Sequence, residues 1–205
     1  VLLVVAALIV ATAHRARHID VGFDPARLVD LRHPAADAAL RARIEQVPGV
    51  LGSTSAMRVP LYGWQSRTPA VVDGQSLALG LNMVDERYFG TLGIRFEQGR
   101  DFRAEEAQHR NDVAIVSAAT AASLWPDRNP IGQRLRLVGE EGGFIGKDRE
   151  VEVIGVAADI ASGLLFTGQD KNAVYLPAQL GQEAMNELIL AIDPVLDMFR
   201  TAFNV

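Results

Sequence analysis

The chain opens on an unbroken apolar stretch, Val1 to Ala13, with no charge and no proline before His14, Arg15, Arg17 and His18 arrive together. An apolar run closed by a basic cluster is the pattern of a membrane helix reaching a polar interface. At about 1.5 Å per residue it covers only ~20 Å, short of the roughly 30 Å of a hydrocarbon core. Residues 1–19 therefore read as the C-terminal part of a transmembrane helix that is truncated here. A signal peptide fits badly, because its charges precede the apolar core and a small-residue cleavage site follows it. A buried helix of a soluble domain is the other alternative. The positive-inside rule by itself places the basic end in the cytoplasm, but two arginines beside histidines leave the sidedness open.

After Asp20 to Pro25 the period of the apolar positions changes. Arg27 to Arg32 reads as a short strand, and Pro34 with Asp37 suits the first turn of a helix. Ala36, Leu40, Ile44 and Val47 then form one helical stripe that requires burial, while Arg41, Arg43 and Glu45 face water. Pro48 and Gly49 stop the helix, and Val50 to Val59 is extended again. The connection is long enough to make the two strands parallel.

Asp73-Gly74 is a hairpin signal, and Leu77, Leu79, Leu81 and Met83 alternate with small or polar residues as half-buried sheet does. A short helix is expected from Asp85 to Leu92, closed by Gly93. Strands are expected at Asp112 to Val116, Gln133 to Val138 and Val151 to Ala157, and Ser117 is placed to cap a helix over Ala118 to Trp125. This middle region should be mostly antiparallel β. Ala173 to Leu176 and Leu188 to Ile192 read as further strands, and Pro194 opens an amphipathic stretch with Val195, Met198, Phe199 and Ala202 on one face. That last stretch implies a polypeptide continuing past Val205.

The roughly 185 residues after the apolar run suffice for one compound domain or two small ones with an apolar core. A formal net charge of -5 and no clustered Lys or Arg argue against a nucleic-acid platform. The absence of cysteine excludes disulfides, thiolate catalysis and cysteine metal sites.

Candidate chemistry is sparse. His14 and His18 stand four apart, as a helical metal pair does, but no carboxylate or third histidine accompanies them, so they read as a basic flank. His33 and His109 read as surface residues. Gly139 to Lys147 resembles a phosphate loop only at Gly146-Lys147. Glu141 stands where the leading glycine belongs and Asp148 replaces the hydroxyl, so the segment reads as a hairpin tip. Ser117 lacks the glycines of a nucleophile elbow and reads as a helix cap. Glu105 and Glu106 read as a solvated loop, because acid or base catalysis requires burial to shift a pKa. Tyr62 and Trp64 form an aromatic pair suited to core packing or to partner contact. No catalytic, cofactor-binding or metal residue is assigned.

Tyr88-Phe89-Gly90-Thr91-Leu92-Gly93-Ile94, followed by Gly99-Arg100-Asp101-Phe102, resembles the MacB-like periplasmic core domain of FtsX-like ABC transporter permeases. Val113-Ala114-Ile115-Val116-Ser117, Leu124-Trp125-Pro126, Pro130-Ile131-Gly132, Val153-Ile154-Gly155-Val156 and Val174-Tyr175-Leu176-Pro177 continue the likeness in order. Gly22-Phe23-Asp24-Pro25 resembles the branch of duplicated permeases often found without an encoded ATPase beside them.

The resemblance implies an α+β fold in which both chain ends build a porter-like β-α-β layer, residues 20–62 and 172–205. An inserted β-rich lobe, residues 63–171, completes it. It implies an extracytoplasmic domain of an inner-membrane permease that transmits conformational change for export, is no enzyme and needs no cofactor. The implied partners are the lipid membrane, an ABC ATPase subunit, a second permease copy and a periplasmic adaptor, with no nucleic acid. The alternative is a membrane-anchored ligand-binding or sensory domain using a cleft between lobes.

Overall fold

The computed structural model describes residues 21–32, 37–61, 66–109, 112–161, 171–178 and 187–193. The apolar run of residues 1–19, the stretch after Asp193, and His14, His18, His33, Tyr62 and Trp64 lie outside the described residues. Among the described residues, no helix is long and apolar enough to cross a membrane.

After a 3-10 turn at Pro25–Arg27, the chain forms β1 (Leu28–Arg32), α1 (Ala38–Ile44), β2 (Val50–Ala56), β3 (Ser66–Val72) and β4 (Gln75–Val84). It continues through α2 (Tyr88–Leu92), β5 (Phe96–Gly99), α3 (Ala104–His109), β6 (Val113–Ser117) and α4 (Ala118–Leu124). The last strands are β7 (Arg134–Leu137), β8 (Arg149–Ala157), β9 (Ala173–Pro177) and β10 (Glu187–Ile192). The fold is α+β, rich in strands with short helices.

Local chemistry explains most of the boundaries. Asp37 caps α1 by accepting from Leu40 N at 2.8 Å. Asp73 and Gly74 take φ of 49° and 81°, the left-handed pair that a two-residue hairpin between β3 and β4 demands. Gly93 ends α2 with φ 72°. Ser117 caps α4, as its position in the sequence indicates, by accepting from Thr120 N at 3.2 Å.

Six strands pair in a closed ring in the order β4, β3, β7, β8, β6, β9 and back to β4. The β8–β6 and β9–β4 ladders are parallel and the other four antiparallel. The middle is thus mostly antiparallel, as its local pattern indicates, and the two parallel ladders are what ring closure adds. The ring's interior is filled by alternate residues such as Leu79, Leu81, Leu135, Leu137, Val153 and Val174, as a small closed barrel requires. Ala121, Leu124 and Trp125 of α4 and the turn after it pack into the same core.

Strands from both ends of the chain adjoin this barrel. β10 pairs antiparallel with both β1 and β2, so β1 and β2 run parallel, as their helical connection requires, but with β10 between them. A second apolar cluster fills the space between this three-stranded layer and the barrel wall. Tyr88, Phe89 and Leu92 of α2 pack there with Ile115, Tyr175, Val84, Ala56 and Ile189. The Phe89 and Tyr175 rings meet edge to face at 5.0 Å and 77°.

Three expectations need revision. The helix before Gly93 begins at Tyr88 and not at Asp85, because Asp85 spends its carboxylate on other elements. The stripe on α1 is only half-buried at Leu40 and Ile44, and Val47 lies past the end of the helix and is exposed, whereas Arg41, expected to face water, turns onto the buried Asp85. Residues 104–109 form α3 where a solvated loop was expected.

The glycines Gly99 and Gly155 mark a close crossing of β5 and β8. A Cβ at Gly155 would stand 2.4 Å from Arg100 O and 3.1 Å from the Phe96 ring, whereas one at Gly52 in β2 would meet nothing within 4 Å. Gly155→Ala is therefore expected to destabilise the chain by about 1–3 kcal/mol or more, and Gly52→Ala to change stability by no more than ~0.5 kcal/mol. Equilibrium urea unfolding of the two variants reads this contrast, and equal effects would contradict it.

Candidate functional site

The layer and the barrel share one ladder pair, Ala56 with Val84. It is flanked by Met57 N to Met83 O at 2.8 Å and Asp85 N to Ser55 O at 3.1 Å. So short a backbone link leaves the position of the junction to side chains, and polar side chains concentrate there.

Asp85 leaves β4 fully buried. Its carboxylate accepts from Ser55 N and Ser55 Oγ, both at 2.9 Å, from Arg87 N at 3.1 Å, and from Thr54 Oγ1 and Arg41 Nη2. These donors come from α1, β2 and the turn into α2. Beside it, Glu45 at the end of α1 accepts from Ser53 Oγ at 2.6 Å and from Arg87 Nη1 at 2.8 Å. The run Ser53-Thr54-Ser55 is thus buried because each hydroxyl meets an acid.

Past Ala56, side chains replace the ladder. Asn82 Oδ1 accepts from Arg58 N at 3.0 Å and its Nδ2 donates to Arg58 O at 2.9 Å. Glu187, buried at the start of β10, accepts from Val59 N at 3.0 Å. The junction is therefore stapled on both sides of one backbone pair, a geometry suited to holding and releasing a relative position.

The residues weighed from the sequence alone fall elsewhere. Ser117 Oγ also accepts from Ala173 N at 3.0 Å and donates to Thr120 Oγ1 at 2.9 Å, so it ties α4 to β9. The Gly139 to Lys147 segment connects β7 to β8, and Asp148 closes it by accepting from Gly139 N at 3.1 Å and Arg136 Nη1 at 2.6 Å. This is a hairpin tip folded on itself. His109 is exposed at the end of α3, its Nδ1 2.9 Å from Glu105 O.

Glu106 corrects the solvated reading. It is buried and bidentate to Arg100 at 2.7 and 2.8 Å, and it accepts from Arg103 N at 2.8 Å in a capping arrangement. The Arg100 guanidinium holds its carboxyl below the usual range. Nearby Asp101 is pushed up to about 6, first by burial and then by the charges of Asp85 and Glu86. Among the described residues, no group of three or more His, Asp or Glu is placed to hold a metal ion.

The junction acid Asp85 escaped the sequence reading, which assigned it to a helix start. The available signal was the run of three hydroxyl residues in β2, an unusual composition for a strand leading into a core.

Comparison with known proteins follows the same architecture. The family model described as MacB-like periplasmic core domain matches residues 5–203. The Macrolide export ATP-binding/permease protein MacB of Mannheimia succiniciproducens is 28% identical over 139 residues, covering 68% of this chain and 19% of that protein. The protein of the same name from Escherichia coli K12 is 27% identical over 147 residues, covering 64% of this chain and 21% of its own length. The chain thus spans about a fifth of these curated relatives.

Among solved structures, the periplasmic region of MacB from Actinobacillus actinomycetemcomitans superposes with a TM-score of 0.59 at 14% identity, covering 89% of this chain and 84% of that one. The extracellular domain of the noncanonic ABC-type transporter YknZ, from Gram-positive bacteria, gives 0.56 at 16% identity, covering 82% and 80%.

Two outcomes follow from the site. Asp85→Ala leaves Arg41 and four hydroxyl or amide donors facing a void and is expected to cost about 3–5 kcal/mol, with Asp85→Asn costing less because one oxygen still accepts. Urea unfolding measures both, and a neutral Asp85→Ala would refute the latch. Asp101, with its folded pKa raised from 3.8 to about 6, contributes stability that is present below pH ~4 and lost as pH rises through 6. Asp101→Asn should therefore raise the melting temperature relative to wild type at pH 8 and have little effect at pH 4. Equal differences at both pH values would contradict the assignment.

Proposed function

Because the chain belongs to the family of MacB-like periplasmic core domains, we propose that it is the extracytoplasmic domain of an ABC transporter permease, with a mechanical and not a chemical role in export. The observation that carries this reading is that, among the described residues, one ladder pair, Ala56 with Val84, joins the three-stranded layer to the barrel, the two meeting otherwise through a shared apolar cluster. A closed barrel is stiff because every strand is paired on both sides, whereas one ladder pair stapled by side chains is the weakest cross-section of the sheet. Movement imposed on one body would therefore be taken up there.

In this reading the moving layer comprises residues 20–62 and 172–205 and the inserted lobe residues 63–171. β9, although it falls after residue 172, pairs with β4 and β6 and so closes the barrel, which leaves β10 as the late strand of the layer. The proposed anchor is the apolar run of residues 1–19 in the inner membrane. Nucleotide-driven states of an ATPase partner would shift the layer if they interact differently with its two positions. A second permease copy and a periplasmic adaptor complete the proposed assembly. The names of the relatives support macrolide-type export as the class of task, and the acidic network at Asp85 and Glu45 supplies a defined rest position. The Asp85 side chain binds α1, β2 and the turn into α2 at once, so displacement of the layer must break several hydrogen bonds together. That makes the change two-state in character.

The test uses a cysteine pair across the junction, Glu45→Cys with Arg87→Cys, in the full-length permease with any other cysteines removed; this chain itself has none. Bridging the pair with a short bis-maleimide is expected to lower transport at least tenfold, while the unbridged double variant transports. Undiminished transport with the bridge formed would overturn the mechanical reading.

A further inference from the structure

A small cavity of about 10 Å³, room for one water-sized occupant, lies where the segment after β2 meets β4, α2 and β9. Arg58, Asn82, Tyr88 and Tyr175 supply its polar lining. What remains unsatisfied around it is donor-rich, the Tyr88 oxygen being the one group that can also accept. Arg58 Nε–H is buried and meets no acceptor, and among the described residues no carboxylate pairs with its guanidinium. The Tyr88 hydroxyl, on a side chain without solvent exposure, has no partner in hydrogen-bond geometry, its polar neighbour being the Asn82 amide. Asn82 uses one amide hydrogen on Arg58 O and so has a second to give.

Burial also keeps both phenols protonated, raising Tyr88 and Tyr175 well above the ordinary tyrosine range. The cavity therefore offers a guanidinium, a phenol and an amide as donors, with a positive charge lacking a counter-charge. A water there accepts from two donors at most and must place two hydrogens of its own. A monatomic anion accepts from all of them and supplies the missing charge.

We propose that this cavity binds one small monovalent anion, for which chloride is the probe, and that the anion fastens the layer to the barrel. Its contacts come from three segments that meet at the junction, Arg58 beyond β2, Asn82 in β4 and Tyr88 in α2, with Tyr175 of β9 completing the wall. Glu187 is the carboxylate on the neighbouring strand, engaged with Val59 N at 3.0 Å and absent from the cavity lining. Its charge weakens the site, which accordingly binds in the millimolar range. The site stands on the cavity's own lining and does not depend on the transport reading.

The experiment is a chloride titration of the 205-residue chain at constant ionic strength, with gluconate making up the balance. The 35Cl linewidth and the melting temperature are read in parallel. Excess linewidth proportional to protein is expected for the wild type, falling at least fivefold in Arg58→Gln and in Tyr88→Phe. At a chloride concentration near a hundred times the dissociation constant, the wild-type melting temperature should rise by about 5 °C more than that of either variant. Should Arg58→Gln fail to fold, Tyr88→Phe, which removes one oxygen, carries the comparison. A wild-type linewidth no greater than that of Tyr88→Phe, or a chloride dependence shared by all three proteins, shows that the cavity holds water only and overturns the proposal.

Discussion

A carboxylate with no access to water must find its hydrogen bonds within the protein, and Asp85 is such a group. Everything at the junction is arranged around that requirement. Ser55 turns both its amide and its hydroxyl to the acid, Thr54 adds a second hydroxyl, and Arg41 brings α1 down onto the strand. Remove the acid and Thr54 and Ser55 have no reason to be buried. The order of causes thus runs from one charged side chain to the docking of a helix, and from the docked helix to the orientation of the three-stranded layer.

The two bodies on either side are built by different rules. In the barrel, closure satisfies every strand edge, alternating apolar residues fill the interior, and Gly99 and Gly155 let β5 cross β8 at backbone contact. In the layer, β10 fills the gap between β1 and β2, and α2, which follows β4, sets its aromatic residues between that layer and the barrel wall. Apolar packing at that face is non-directional, whereas the polar junction is directional. In the proposed mechanism the first permits displacement and the second sets the rest position.

Local elements were legible in the sequence wherever the responsible chemistry is local. Asp73-Gly74 specifies its hairpin, Gly93 ends its helix, Ser117 caps α4, and the alternating leucines of β4 face the core. The ordered glycine and aromatic motifs also pointed to the family that the family model matches over residues 5–203. Pairing was not legible. Whether β9 joins β4 or β10 is decided by ring closure, which no window of neighbouring residues encodes. Glu105 and Glu106 look alike in sequence, and only the position of Arg100 on a neighbouring turn makes one of them buried. Asp85 was hidden for the same reason, since its partners lie some thirty to forty-four residues away.

The central claim is that the layer changes position relative to the barrel about the Ala56 and Val84 junction. Spin labels at Leu51, exposed on β2, and Phe144, exposed on the β7–β8 tip, report that position directly. Pulsed electron double resonance on the full-length permease, with and without a trapped nucleotide state, is the decisive measurement. Two distance populations separated by several ångströms, exchanged by nucleotide, are predicted. One unchanged distance in every state would contradict the claim.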